Sequence, residues 1–306
     1  MSEQRLVEAV RRRALAARIR STGVVLGIGD DCAIFRPQYG EELMFTTDML
    51  IEGTHFTRSG HTAMDAGWKA LARGLSDIAA MGAEPRFCLV SLALAPWCGS
   101  KWADGFFRGL LLLARRTATV LAGGDLSHAE RVACDVVVCG AAPQGRALRR
   151  STAHAGDAIY VSGWHGGSAL GLASRSPKAR SRHLRPEPRL ALGRFLRERV
   201  GASAAMDLSD GISLDLHRLC LASGLSAEIG APPRFPGASL EQALHGGEDY
   251  ELLFTVPETA RVPREFQGIP LTRIGTMRKG RAGAVKLDGR RLPPLGYDHF
   301  RMEPGA

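Results

Sequence analysis

Residues 62–94 read TAMDAGWKALARGLSDIAAMGAEPRFCLVSLAL. Through Met81 the apolar side chains recur every three or four positions, at Met64, Trp68, Leu71, Leu75 and Ile78, which makes one face of an α-helix. Thr62 with Asp65 three positions on forms a capping box, and Gly82 supplies a stop. Apolar residues then crowd into 87–94, a run of strand length. Helix passes directly into strand, so the fold class is mixed α/β (α+β).

The same alternation extends outward. Strand-like runs stand at 24–28, 43–47, 134–142, 158–162, 251–256, 271–275 and 283–287. A second helix starts near Ser100, repeats Trp102, Phe106, Leu110 and Leu113, and is expected to run to Gly123–Gly124. Further helical segments are expected at 167–174, 186–200 and 211–223. The polar, basic stretch 143–156 suggests a boundary, with domains at 1–145 and 146–306. A chain of 306 residues accommodates two domains of roughly 150.

Composition narrows the class. A hydrophobic share of 45% suits a globular chain. No apolar run approaches the ~18 residues of a spanning helix; the 106–114 stretch is broken by Arg108. The N-terminus lacks an apolar segment of the secretory kind, so a cytoplasmic protein is expected. Cys32, Cys88, Cys98, Cys134, Cys139 and Cys220 form no CxxC pair, which favours reduced thiols over disulfides or zinc. Forty basic against 31 acidic residues give a net charge of +9. The basic runs Arg11–Arg13 and 178–185 carry no interleaved aromatics, which argues against nucleic-acid binding.

The acids are more informative. Asp30, Asp31, Asp48, Asp77, Asp125, Asp207 and Asp210 fall in short motifs joining apolar runs. Taken singly, each except Asp77 reads better as a turn or helix-capping residue. Asp77 lies inside a helix beside Ala70 and Gly74, where capping is unavailable and small residues leave room for an approaching group. Should the acids converge, mutual repulsion demands cations, and oxygen-only ligation selects Mg²⁺, Ca²⁺ or Mn²⁺. The glycines of 163–168 offer amides to phosphate, or a structural turn. No P-loop or convincing GxGxxG is present.

In order along the chain stand GIGDDCA (27–33), TTDML (46–50) with His55–Phe56, SDIAAMGA (76–83), GGD (123–125), GRALRRS (145–151), HLRPEPR (183–189), DLSDG (207–211), GGEDYEL (246–252) and GYDHF (296–300). This ordered set resembles the thiamine-monophosphate kinase family of the aminoimidazole-ribonucleotide-synthetase-like superfamily. The resemblance implies a two-domain fold, a homodimer paired through the N-terminal sheets and a C-terminal α/β domain. It implies ATP-dependent phosphorylation of thiamine monophosphate to thiamine diphosphate, the last step in making that compound, with several Mg²⁺ ions and ATP as co-substrate. Carried over by motif, the metal ligands are Asp30, Asp31, Thr46, Thr47, Asp48, Asp77, Asp125, Asp207 and Asp210, with Asp77, Asp125 and Asp210 at the chemistry. Nucleotide contacts fall on Gly124, Asp125, Arg150 and Ser209, and substrate contacts on His55, Glu248 and Tyr297.

The implied chemistry is consistent with the acids. A phosphate acceptor is already ionised near pH 7, so no general base is needed, only neutralisation of two repelling anions. Three departures from the family pattern stand out, the first being a 172–183 stretch that is short and basic compared with the family. Position 245 is His where a serine often precedes GGEDYEL. Arg115 and Arg116 stand where relatives often place an aromatic near the nucleotide base, and an arginine can stack on adenine. The competing readings are another ATP-using superfamily member, against which GGEDYEL and GYDHF argue, and a non-catalytic binder of nucleotide or nucleic acid, which does not need intact aspartates.

Overall fold

A computed structural model describes residues 3–28, 30–174 and 176–297, with side chains from Arg5 onward. Gly29 of the first motif and Asp298–Phe300 of the last lie outside the described residues. The chain separates into two compact units, Met1–Ala79 with Ala83–Ala147, and Ala80–Gly82 with Leu148–Ala306. Among the described residues no helix is long and apolar enough to cross a membrane.

The first unit runs α1 (Glu3–Ala16), β1 (Val24–Leu26), β2 (Ile34–Phe35), β3 (Glu41–Ile51), α2 (Ala63–Ala80), β4 (Glu84–Leu94), α3 (Ser100–Arg116), β5 (Val120–His128) and β6 (Ala133–Pro143). Four strands form one sheet in the order β3-β6-β4-β5. β4 and β5 are parallel, joined through α3, and the other pairs are antiparallel. Helix α2 begins as its sequence predicts: Thr62 N–H donates to Asp65 Oδ2 (3.0 Å) and Asp65 N–H returns to Thr62 Oγ1 (3.2 Å). It lies on the sheet through missing side chains. A Cβ on Gly74 would stand 2.8 Å from Val138 Cγ2, and one on Gly140 would stand 2.7 Å from Ile78 Cγ2. The space beside Asp77 is therefore filled by the sheet itself.

The sheet's other face is partly covered by the β1–β2 ribbon. Val24 and Phe35 pack with Phe87, Ala122 and Cys139, and the Phe35 and Phe87 rings are 5.2 Å apart. Cys134 and Cys139, at odd spacing, indeed face opposite sides of β6. The expected extent of α3 is corrected. It ends at Arg116, and Gly123–Gly124 lie inside β5. Ala122 is an extra residue in the β4–β5 pairing, because Cys88 faces Leu121 while Leu89 faces Gly123. A Cβ on Gly124 would stand 2.0 Å from Val90 O, so Gly124 serves close backbone approach and not helix termination.

The second unit contains β7 (Ala158–Ser162), α4 (Gly167–Ala173), α5 (Pro177–Leu184), α6 (Leu190–Phe195) with one π turn after it, β8 (Ala204–Leu208), α7 (Ile212–Ala222), β9 (Ser226–Ile229), α8 (Leu240–His245), β10 (Glu251–Val256), β11 (Glu265–Phe266), β12 (Ile269–Arg278), β13 (Val285–Leu287) and β14 (Arg290–Arg291). Its sheet follows β14-β13-β9-β12-β7-β10-β8, with β11 added to β12. Among the described strands of this sheet, β13 and β9 pair in parallel and the other pairs are antiparallel. Every residue of β10 is buried, as befits an apolar run set between β7 and β8.

Helices α2 and α3 pack at backbone contact. A Cβ on Gly109 would stand 2.0 Å from Met64 O, and one on Gly67 would stand 1.9 Å from Phe106 O. Carbonyls cannot yield as side-chain ends do. Gly109→Ala is expected to cost about 2 kcal/mol or more of stability, read as a lower urea midpoint at unchanged m-value. An unchanged midpoint would show that the helices separate freely.

Candidate active site

The oxygen donors of the first unit collect at two places. At the β5 edge, Gly27 lies 3.9 Å (from its ideal Cβ) from the Ala122 Cα, which brings the GIGDD loop beside GGD. Asp30 and Asp31 are exposed there, and Asp31 N–H donates to Asp30 Oδ1 (2.9 Å). Asp125 is exposed on β5. Val7, Val10, Ile28, Phe107 and Leu121 line an apolar pocket whose remaining wall includes Gly123, Gly124 and Asp125.

The β3 edge carries the others. Thr46 Oγ1 donates to Asp77 Oδ2 at 2.5 Å. Arg73 donates twice to Asp48 Oδ1, from Nε at 2.9 Å and Nη2 at 2.6 Å. Thr47 points to the opposite face, where its hydroxyl bonds Asp135 Oδ1. His55 is buried at the end of this strand. Its Nδ1 accepts from Ile51 N–H (3.0 Å), and its carbonyl accepts from Lys69 Nζ (3.0 Å).

Strand order keeps the two groups apart. Met49, Asp135, Ser91 and Asp125 form one row across the sheet. With strands about 4.8 Å apart, β3 and β5 are separated by roughly 14 Å. Among the described residues, no three His, Cys, Asp or Glu side chains gather as a metal site.

In the second unit the site residues do converge, at the loop after β8. Asp207 is buried on β8 opposite Leu252. Asp210 pairs with Arg218, and Asp215 Oδ2 accepts the N–H groups of Asp210 and Gly211, both at 3.0 Å. Burial, then the neighbouring Asp210, pushes the Asp215 carboxyl up to about 7. Glu248 N–H donates to Ser209 O (2.7 Å), and Tyr297 N–H donates to Asp210 O (3.0 Å). Asp207, Ser209, Asp210, Glu248 and Tyr297 thus share one loop cluster.

GGEDYEL divides its acids between surface and interior. Asp249 accepts the N–H groups of Gly166 (2.5 Å) and Ser168 (2.9 Å). The glycine-rich amides that sequence offers to phosphate are therefore occupied by a carboxylate from this chain. Burial pushes Asp249 up to about 6. Glu251 is entirely buried, bonded to Ser162 Oγ (2.6 Å), Arg182 Nη2 (2.9 Å) and Arg189 Nε (2.8 Å). Burial alone would raise its pKa, but the arginines outweigh burial and hold it at about 2.

Other residues fall elsewhere. Arg150 is exposed, with its carbonyl bonded by Ser223 Oγ beyond the end of α7. Asp210 precedes the start of that helix, so the two are separated by roughly 16 Å of helix axis. Arg116 stacks over Trp68 at 5.1 Å, and neither Arg115 nor Arg116 lines the apolar pocket, where Phe107 stands instead. His245 Nδ1 pairs with Ser213 Oγ (2.7 Å). Sequence reasoning missed Phe107, Asp135, Arg73 and Arg218. Two of these had a signal: Phe107 is an aromatic off the apolar stripe of α3, and Asp135 interrupts an apolar strand.

Comparison with known proteins identifies the family. Residues 29–144 match the family described as AIR synthase related protein, N-terminal domain. The chain is 40% identical to the thiamine-monophosphate kinase of Escherichia coli (strain K12), over 92% of this chain and 95% of that one. The crystal structure of thiamine-monophosphate kinase from Stenotrophomonas maltophilia K279a superposes with a TM-score of 0.82 at 34% identity, covering 92% of this chain and 96% of that one. AaThiL complexed with AMPPCP and TMP gives 0.78 at 30% identity, covering 98% and 99%.

The Glu251 network makes a pH-dependent prediction. A carboxyl held near 2 in the folded chain, against about 4.3 unfolded, stabilises at pH above the unfolded value. That stability is lost as pH falls from about 4.3 through 2. Glu251→Gln strands two largely buried arginines and is expected to cost about 3 kcal/mol at pH 7. In urea titrations across pH, the gap to wild type should narrow on acidification; a gap constant down to pH 2.5 would refute the assignment.

Proposed function

The chain belongs to the thiamine-monophosphate kinase family, and from that premise we propose how its own residues serve the reaction. The enzyme phosphorylates thiamine monophosphate with ATP, giving thiamine diphosphate and ADP. The observation that carries the residue assignment is the apolar pocket walled by Gly123, Gly124 and Asp125. A recess lined by Val7, Val10, Phe107 and Leu121 suits a nucleotide base, and glycine backbone with a carboxylate at its rim suits the polyphosphate.

The donor set fits Mg²⁺: Asp30, Asp31, Thr46, Thr47, Asp48, Asp77, Asp125, Asp207 and Asp210 present oxygen only. Arg73 on Asp48 and Arg218 on Asp210 mark places where a cation is already held. When bound, Mg²⁺ supplies the positive charge that lets two phosphate-bearing substrates meet in line. Thr46 orients Asp77 for this task, and Asp135 beside Thr47 adds a further carboxylate. Ser209 and Arg150 serve the nucleotide, while Glu248, Tyr297 and His55 serve the acceptor. Residues 1–145 form the metal- and nucleotide-binding domain and 146–306 the second domain. A substrate such as ATP and thiols without disulfides suit the cytoplasm.

The active form is a homodimer. The β3 and β5 donors of one sheet stand at opposite edges, and pairing of two sheets offers a way to bring one copy's β3 donors toward the other's β5 donors. Phe45 (63% exposed) and Met49 (49%) leave the face beyond the β1–β2 ribbon open for sheet pairing.

Incubation with thiamine monophosphate, ATP and Mg²⁺ should yield thiamine diphosphate on chromatography, and none with excess chelator. Asp77→Asn and Asp125→Asn are expected to lower kcat at least 1,000-fold, an order of magnitude typical of lost electrostatic stabilisation, at near-constant Tm. Near-wild-type turnover in either would remove the metal assignment. Met49→Glu should sediment as a monomer and lose activity; an active monomer would refute the dimer reading.

A further inference from the structure

His183 opens the HLRPEPR motif near the end of α5, and its ring is buried. Nδ1 lies 3.0 Å from Ser168 Oγ and 3.4 Å from Glu248 Oε2. The ring thus joins the first turn of α4 to the one acid of GGEDYEL whose side chain keeps partial exposure, 25%. The main chain at Glu248 is already constrained. Its φ is +65°, in the left-handed region, and its N–H is held by Ser209 O at 2.7 Å. Tyr250 has φ +50° and bonds Leu208 O at 3.0 Å.

His183 is itself anchored on both sides. Arg182 before it and Arg189 at the motif's end both grip Glu251, three positions beyond Glu248. Asp249, between the two glutamates, holds the amides of Gly166 and Ser168. Each acid in the motif is therefore tied to the α4–α5 region, and Glu248, which meets the His183 ring, keeps part of its side chain exposed.

We propose that His183 is a positioning residue that fixes the Glu248 carboxylate toward the acceptor substrate and so sets the affinity for thiamine monophosphate. The inference rests on the reading of Glu248 as a substrate contact. A glutamate has several rotatable bonds, and ordering one costs binding free energy unless the protein has ordered it beforehand. The acceptor carries a cationic ring and an amino group, for which a pre-placed carboxylate is a suitable partner.

The test compares His183→Ala, His183→Asn, Ser168→Ala, Glu248→Gln and the His183→Ala/Glu248→Gln double variant, each checked by Tm. His183→Ala should raise KM for thiamine monophosphate about tenfold, on the order of one charge-assisted hydrogen bond, with KM for ATP unchanged. His183→Asn, whose amide can take the place of Nδ1, should recover most of the loss, and Ser168→Ala should show a smaller rise. The double variant should be no worse than Glu248→Gln alone. Equal rises in both KM values, or multiplying effects in the double variant, would overturn the proposal. If Glu248→Gln raises KM for thiamine monophosphate and His183→Ala does not, only the positioning role falls. If Glu248→Gln leaves that KM unchanged, the substrate assignment falls and the positioning role with it.

Discussion

Repulsion between carboxylates is the constraint on which this structure turns. Acids set close together and away from water need opposite charge or strong donors, because neither repulsion nor desolvation is small. The chain meets this need inside the second unit with two arginines and a serine on Glu251, and with backbone amides on Asp249. It meets it at the site with Arg73 on Asp48 and Arg218 on Asp210. Asp30, Asp31 and Asp125 instead remain at the surface. The acids thus divide into those paired within the fold and those exposed at its surface.

Glycine does the complementary work. Where Gly74 and Gly140 bring α2 onto β6, the Val138 and Ile78 side chains take the space a Cβ would need, and Gly124 brings β5 directly against the Val90 carbonyl. Thr46 can then reach Asp77 across the helix–sheet interface. The same economy appears after β8, where a Cβ on Gly211 would stand 2.8 Å from the His245 carbonyl carbon and one on Gly247 would stand 2.7 Å from Ser209 O. That closeness is what places Glu248 beside Ser209.

A motif is not a unit of function. Within GGEDYEL, Glu248 faces outward, while Asp249 and Glu251 are buried ties to α4, α5 and the segment before α6. HLRPEPR supplies much of the other half of those ties, through His183 and Arg189, with Arg182 just before it. Two segments some sixty residues apart in sequence therefore answer each other by charge.

Mixed α/β class, helix α2 with its capping box and the strands around 87–94, 134–142 and 251–256 were legible from periodicity, because burial on one face imposes a repeat of 3.6 or 2. The aspartates could be picked out as a group from their place in short joints, but not their separation, because strand order β3-β6-β4-β5 puts Asp48 and Asp125 on opposite edges of one sheet. Strand β5 was not legible, because Gly123–Gly124 read as a helix stop and local sequence does not reveal that Val90 O lies against Gly124. Nor was the role of the 163–168 glycines, whose amides turn to Asp249 only once β10 is in place. Phe107 could be seen as an aromatic, but its pocket exists only where α1, α3 and β5 meet. Sequence by itself determined which chemical groups are present and in what order. Tertiary structure decided which acids meet an arginine and which meet solvent, because burial and counter-charge are set by residues far away in the chain.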